Sequence, residues 1–94
     1  MNNYGIVYAS TDIPVDVYRT MTADEIIDYL DDNTSGYNWF NDEATASNSI
    51  NWFSEAKYDE ETGTVHVSAT ILVKEENGNY EIVDADKKNV KIEI

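Results

Sequence analysis

His66 is the only histidine in this 94-residue chain, and cysteine is absent. That inventory removes thiolate nucleophiles, disulfides and cysteine-ligated zinc together. His66 falls on the polar side of an alternating segment, with no nucleophile or orienting acid near it in sequence, so it is not expected to catalyse. Carboxylates are plentiful, but adjacent pairs such as Asp31/Asp32 and Glu60/Glu61 recur too freely to single out a glycosidase or metal site. The runs DNTSG and DADKKN offer oxygen ligands, yet neither keeps the calcium-loop spacing, with glycine sixth and glutamate twelfth. Four glycines scattered among turns make no phosphate-binding loop. The expectation is a protein that is not an enzyme and uses neither cofactor nor metal.

The chemistry that remains is charge. Nineteen acids face six bases, giving a net charge of −13. Residues 1–56 hold ten acids and one base, Arg19, while residues 57–94 hold nine acids and five lysines. Such a field repels nucleic acid and anionic membranes and attracts basic protein surfaces. Net charge also keeps small proteins soluble, and that plainer reading stands beside the functional one.

The second conspicuous feature is YNWFNDEATASNSINWFSEA, residues 37–56. The triplet Asn-Trp-Phe occurs in it twice and accounts for both tryptophans and both phenylalanines. If residues 37–41 and 50–58 are paired strands, Trp39 lies across from Phe53 and Phe40 across from Trp52, and the four rings are mostly core. If the rings are exposed, Trp39 and Trp52 suit a carbohydrate or small-ligand platform. Seven tyrosines add contact area with polar tips, as protein-binding surfaces use.

The elements that position these groups read as one domain, 1–94, of α+β class: one amphipathic helix packed on an antiparallel sheet of four or five strands. TADE at 22–25 is a capping box, which opens a helix that stops in DDNTSG. Ile26, Ile27 and Leu30 share one face of it, and Asp24, Glu25, Asp28, Asp31 and Asp32 form an acidic stripe on the other. Asp31 and Asp32 stand at the wrong end of the helix dipole. Residues 64–74 alternate strictly, with Val65, Val67, Ala69, Ile71 and Val73 on one face, as a half-buried strand does. Short strands are expected at 4–9, 80–83 and 90–94, with Lys88 and Lys91 guarding a sheet edge. Pro14 marks an extended edge segment or loop. Residues 50–58 read as strand rather than helix, because Thr, Ser and Asn before them are poor helix formers. The element order resembles the cystatin-like arrangement, without a cystatin inhibitory motif.

The N-terminal MNNYGIVYASTD carries no basic region and does not read as a signal peptide, and no run reaches the roughly 20 apolar residues of a membrane span. A cytoplasmic protein is expected. Size, charge and the lack of cysteine or a catalytic set resemble the small acidic anti-defence proteins of phages and mobile elements, the DNA mimics and anti-CRISPR proteins. That resemblance is one of type and implies a stoichiometric inhibitor that occupies the nucleic-acid surface of a nuclease or similar host protein. The expected phosphate surrogates are Asp24, Asp28, Asp31 and Asp32, then Asp42, Glu43, Glu60 and Glu61. A viral structural or interaction protein is a third class.

Overall fold

A computed structural model describes residues 3–34 and 36–94; Met1, Asn2 and Ser35, which belong to the MNN and DNTSG stretches read above, lie outside them. The elements are β1 (Asn3–Pro14), α1 (Val15–Tyr18), α2 (Ala23–Asp32), β2 (Asn38–Phe40), α3 (Glu43–Ser49), β3 (Ser54–Asp59), β4 (Thr64–Glu76) and β5 (Asn79–Ala85). The fold is α+β, with a five-stranded antiparallel sheet. Three short helices accompany it among the described residues, where one was expected.

β4 is the spine of the sheet. Its alternation of valine and isoleucine pairs along its whole length with β1, from Asn3 opposite Glu75 to Pro14 opposite Thr64. On its other edge β3 takes Thr64–Ala69 and β5 takes Ile71–Glu76, so the two short strands share one side end to end. β2 adds to the free edge of β1, setting Trp39 opposite Gly5 and Phe40 opposite Tyr4. Tight turns fix these registers. Asn77 and Gly78 both take positive φ, as a two-residue hairpin between right-twisted strands requires.

α1 and α2 cover one face of the sheet. Ile26, Ile27 and Leu30 are buried there against Val65, Val67, Ile71 and Val73, with Ile13, Tyr18 and Val90 completing the core. Burying side chains of this size stabilises by roughly 1.5–3 kcal/mol each. The capping box forms as the sequence indicates: the Thr22 hydroxyl accepts from Glu25 N–H, and Glu25 accepts from Thr22 N–H. The second face is not bare. Ser68, Thr70 and Leu72 of β4 are buried on that side, and Ala46 of α3 is fully buried. Mid-strand β4 is therefore covered on both faces, where half-burial was expected.

Several expectations are corrected. Pro14, by contrast, does close an extended edge segment: β2 covers only Tyr4, Gly5 and Ile6 of β1, so at Pro14 the strand is paired with β4 alone. At the last rung Pro14 needs no ladder donor, and Val15 N–H bonds Gly63 O at 2.9 Å. Residues 43–49 are helical despite their composition, because the Asp42 carboxylate caps them by accepting from Thr45 N–H. The strand expected over 50–58 starts only at Ser54. Residues 90–94 form no strand. Val90 is instead buried and Tyr18 ties the segment down, its hydroxyl donating to Val90 O (2.6 Å) and accepting from Ile92 N–H (2.8 Å). Lys91 guards no edge: its Nζ donates to Tyr18 O and lies 4.5 Å from the Tyr18 ring centroid.

Candidate functional site

The acidic stripe of α2 faces away from the sheet, as its three buried apolar residues dictate. Asp24, Glu25, Asp28 and Asp32 are exposed and Asp31 is half-buried. Their local partners differ. Asp24 pairs with Lys87 at 2.6 Å, and that hydrogen bond holds the Lys87 pKa above its ordinary value. Glu25 is kept below the usual glutamate range by Thr22, whose N–H and then hydroxyl favour the carboxylate. Asp31 accepts from the Tyr37 hydroxyl at 2.5 Å; burial of that phenol and then its bond to Asp31 push the Tyr37 pKa well up. Asp28 and Asp32 take part in no ion pair among the described residues.

The other four residues singled out from the sequence lie elsewhere. Asp42 caps α3, and its bonds from the Thr45 N–H and hydroxyl hold its pKa low. Glu43 lines a shallow depression with Tyr4, Lys74 and Glu81, on the sheet face opposite α2. Glu60 and Glu61 sit in the exposed β3–β4 turn, where Glu61 N–H bonds Asp59. The C-terminal end of α2 lies near the Gly5–Val73 rung through Tyr37, whereas the turn adjoins the Pro14–Thr64 rung. Nine strand residues separate those rungs, about 30 Å at 3.4 Å each. The eight carboxylates are thus three groups on two faces and both ends of a body measuring 46 × 24 × 19 Å. They do not form one flat array.

The Asn-Trp-Phe repeat also behaves differently from expectation. β2 pairs with β1 and β3 with β4, so Trp39 does not meet Phe53, nor Phe40 Trp52. The rings are largely surface: Trp39 and Trp52 are each 44% exposed and Phe53 is 43% exposed. Trp39 lies over Gly5 and joins half-buried Tyr37 and exposed Tyr80 in a cluster, with centroid separations of 5.4 Å to Tyr37 and 6.0 Å to Tyr80. Phe53 meets Tyr8 at 5.6 Å on the opposite face, beside an open groove of about 470 Å³ lined by Ile6, Asn38, Ser49, Asn51 and Thr70. Thr70 fixes that groove's wall, its hydroxyl donating to Asn51 O and accepting from Phe53 N–H.

The β1–β4 register supplies a partner that linear proximity hid. Asp12 stands opposite His66, and its carboxylate is 2.8 Å from Nδ1. Two rungs along, on the same face, the Ser10 and Ser68 hydroxyls bond each other at 2.7 Å. No hydrogen bond joins either hydroxyl to the imidazole among the described residues, so the nucleophile–base link of a hydrolytic triad is missing there. Among the described residues no group of three or more His, Cys, Asp or Glu is placed to hold a metal ion. Nor is any helix among them long and apolar enough to cross a membrane.

No protein-family model matches the chain, and no curated protein or solved structure matches it.

Proposed function

We propose that this chain is a non-enzymatic inhibitor that occupies the nucleic-acid-binding surface of a basic host protein, its carboxylates standing in for phosphates. A nuclease of a defence system, as in anti-CRISPR or anti-restriction inhibition, is the partner class in view, met in the host cytoplasm. The observation that carries the reading is the density of charge along the long axis. Thirteen net negative charges over 46 Å amount to one per about 3.5 Å. A single strand of B-DNA carries one per 3.4 Å. Internal neutralisation is slight: Arg19, Lys57, Lys74 and Lys87 each pair with one acid, and Lys91 is spent on the Tyr18 carbonyl. The spread of carboxylates over two faces supports the same reading, because a duplex also presents phosphate on more than one side.

The test uses the full chain as immobilised bait in host extract. The captured protein should be a nucleic-acid binder, and a short DNA duplex should displace it. Binding should weaken steeply as salt rises, since exposed charges are screened over about 8–10 Å near physiological ionic strength. A captured protein that duplex DNA leaves in place would overturn the proposal.

A second reading, a carbohydrate or small-ligand module, draws on the exposure of Trp39 and Trp52 and on the groove beside Phe53 and Tyr8. Tryptophan fluorescence against a glycan panel decides it; a flat response discards it.

A further inference from the structure

Exposed Trp39 of β2 and Tyr80 of β5 and half-buried Tyr37, just before β2, gather beside Asn3 of β1 and Glu75 of β4, and the parts are those of a cation site. The register puts Asn3, Glu75 and Tyr80 in one rung, with Trp39, Gly5, Val73 and Ile82 two rungs along. All project to the α2 side of the sheet. Gly5 makes the arrangement possible: a Cβ there would come 2.9 Å from Tyr37 Cβ and 3.0 Å from Trp39 Cζ3. The indole can therefore lie against bare backbone. Tyr80, 61% exposed, stands 6.0 Å from Trp39, and between them opens a shallow pocket lined by Asn3, Trp39, Glu75 and Tyr80. Asn3 Nδ2 and Gly78 N–H donate to the two oxygens of Glu75 and fix the carboxylate in place. Asp31 lies behind the cluster, bonded to Tyr37.

Exposed aromatic rings beside a fixed carboxylate, in a chain of net charge −13, complement one chemistry above others. A cation over an aromatic face gains from the ring quadrupole, and the field of the whole molecule concentrates cations around it. Among the described residues no lysine or arginine takes the position: Lys74 points to the opposite face, and the cation–ring contact found is Lys91 over Tyr18. We propose that the Trp39–Tyr80–Glu75 pocket receives an arginine side chain of the basic partner. Arginine suits it better than lysine, because a planar guanidinium stacks on a ring while its edge donates to a carboxylate. The inference rests on the reading of the partner as a basic protein and adds to it a short-range anchor. Charge along α2 steers the encounter, and the aromatic pocket holds one side chain of the partner.

The experiment uses the ¹⁵N-labelled full chain, titrated with N-acetyl-arginine amide, its lysine counterpart, the neutral isostere N-acetyl-citrulline amide, and an arginine-rich nonapeptide. Arginine amide should shift the Trp39 indole N–H and the amides around Asn3 and Glu75 in a saturable way, lysine less so, and citrulline not at all. Trp39→Leu and Tyr80→Ala should each weaken the nonapeptide about threefold to tenfold, with β4 amides unmoved. Trp52→Leu, equally exposed but outside the pocket, should leave the affinity unchanged. Should Trp39→Leu disturb the fold, Tyr80→Ala on its exposed ring carries the test alone. If the nonapeptide binds but moves only α2 resonances, the pocket is refuted and the basic-partner reading stands. If no cationic probe binds, both fall. A Trp39 response to neutral sugars and not to arginine amide also refutes the pocket.

Discussion

Gly5 and Tyr18 show how much of the molecule hangs on single side chains, one by lacking atoms and one by supplying them. At Gly5 the neighbour at 2.9 Å is the Cβ of Tyr37, an atom tied to backbone that cannot swing away, and the next is the Trp39 ring. Gly5→Ala should therefore push β2 off β1. We expect a loss of about 1–3 kcal/mol, the usual cost of overpacking, read by chemical denaturation, together with a changed Trp39 fluorescence maximum. Tyr18 is nearly fully buried, and desolvation raises its pKa. Its hydroxyl satisfies both Val90 O and Ile92 N–H. Tyr18→Phe leaves those two backbone groups without their partner, and burying an unmade hydrogen bond costs about 1–3 kcal/mol. Hydrogen exchange should then show Ile92 N–H losing protection while β4 amides keep most of theirs. Equal loss across both would mean the tyrosine supports the core as a whole and not the C-terminal segment.

At the scale of elements, legibility followed how local each signal was. The capping box at Thr22, the apolar stripe of α2, the strand β4 and the Asn-Gly turn are all written within a few residues, and each forms as read, except that β4 is buried on both faces mid-strand. What escaped depends on distant chain. α3 is a seven-residue helix of which four are Thr, Ser or Asn, held by one cap and by burial of Ala46, with β1 and β2 as its neighbours. The Asn-Trp-Phe repeat suggested a hairpin, yet its first copy pairs with β1 and the strand after its second copy pairs with β4. The acidic stripe was legible; the separation of Asp42, Glu43, Glu60 and Glu61 from it was not, because it is set by sheet register. The importance of the Asp42 cap can be measured through pH. Its folded-state pKa is depressed by the Thr45 N–H and hydroxyl. The stabilisation it contributes is therefore complete above the unfolded-state value and fades as pH falls through the lower folded-state value. Asp42→Ala should lower the thermal midpoint at pH 7, and the gap to wild type should close as pH drops below the ordinary aspartate range. A gap that stays constant down to pH 2 would show that the lost contact is not the ionised cap.

For the molecule as a whole, the question is whether its charge serves binding or only solubility, and stability and affinity separate the two. Asp28 and Asp32 form no ion pair among the described residues, and Asp32 closes a helix whose last turn contains no base. A negative charge at that end opposes the helix dipole, typically by about 0.3–1 kcal/mol at low ionic strength. Self-repulsion in a body of charge −13 adds to the cost. Asp28→Lys/Asp32→Lys should therefore be more stable than wild type at low salt, with the advantage shrinking as salt screens both terms. The same variant should bind the basic partner at least tenfold more weakly, since it removes two surrogates and places two like charges against the partner's lysines and arginines. Among the described residues neither carries a tertiary hydrogen bond whose loss would confound the outcome; Asp31, which holds Tyr37, is left intact for that reason. Thermal denaturation and partner affinity, measured on the one variant across a salt series, give the decision. Greater stability with weaker binding means these carboxylates are kept for the partner against the interest of the fold. Greater stability with unchanged binding means that the stripe is dispensable for recognition, and the search for the interface moves to the Trp39 face.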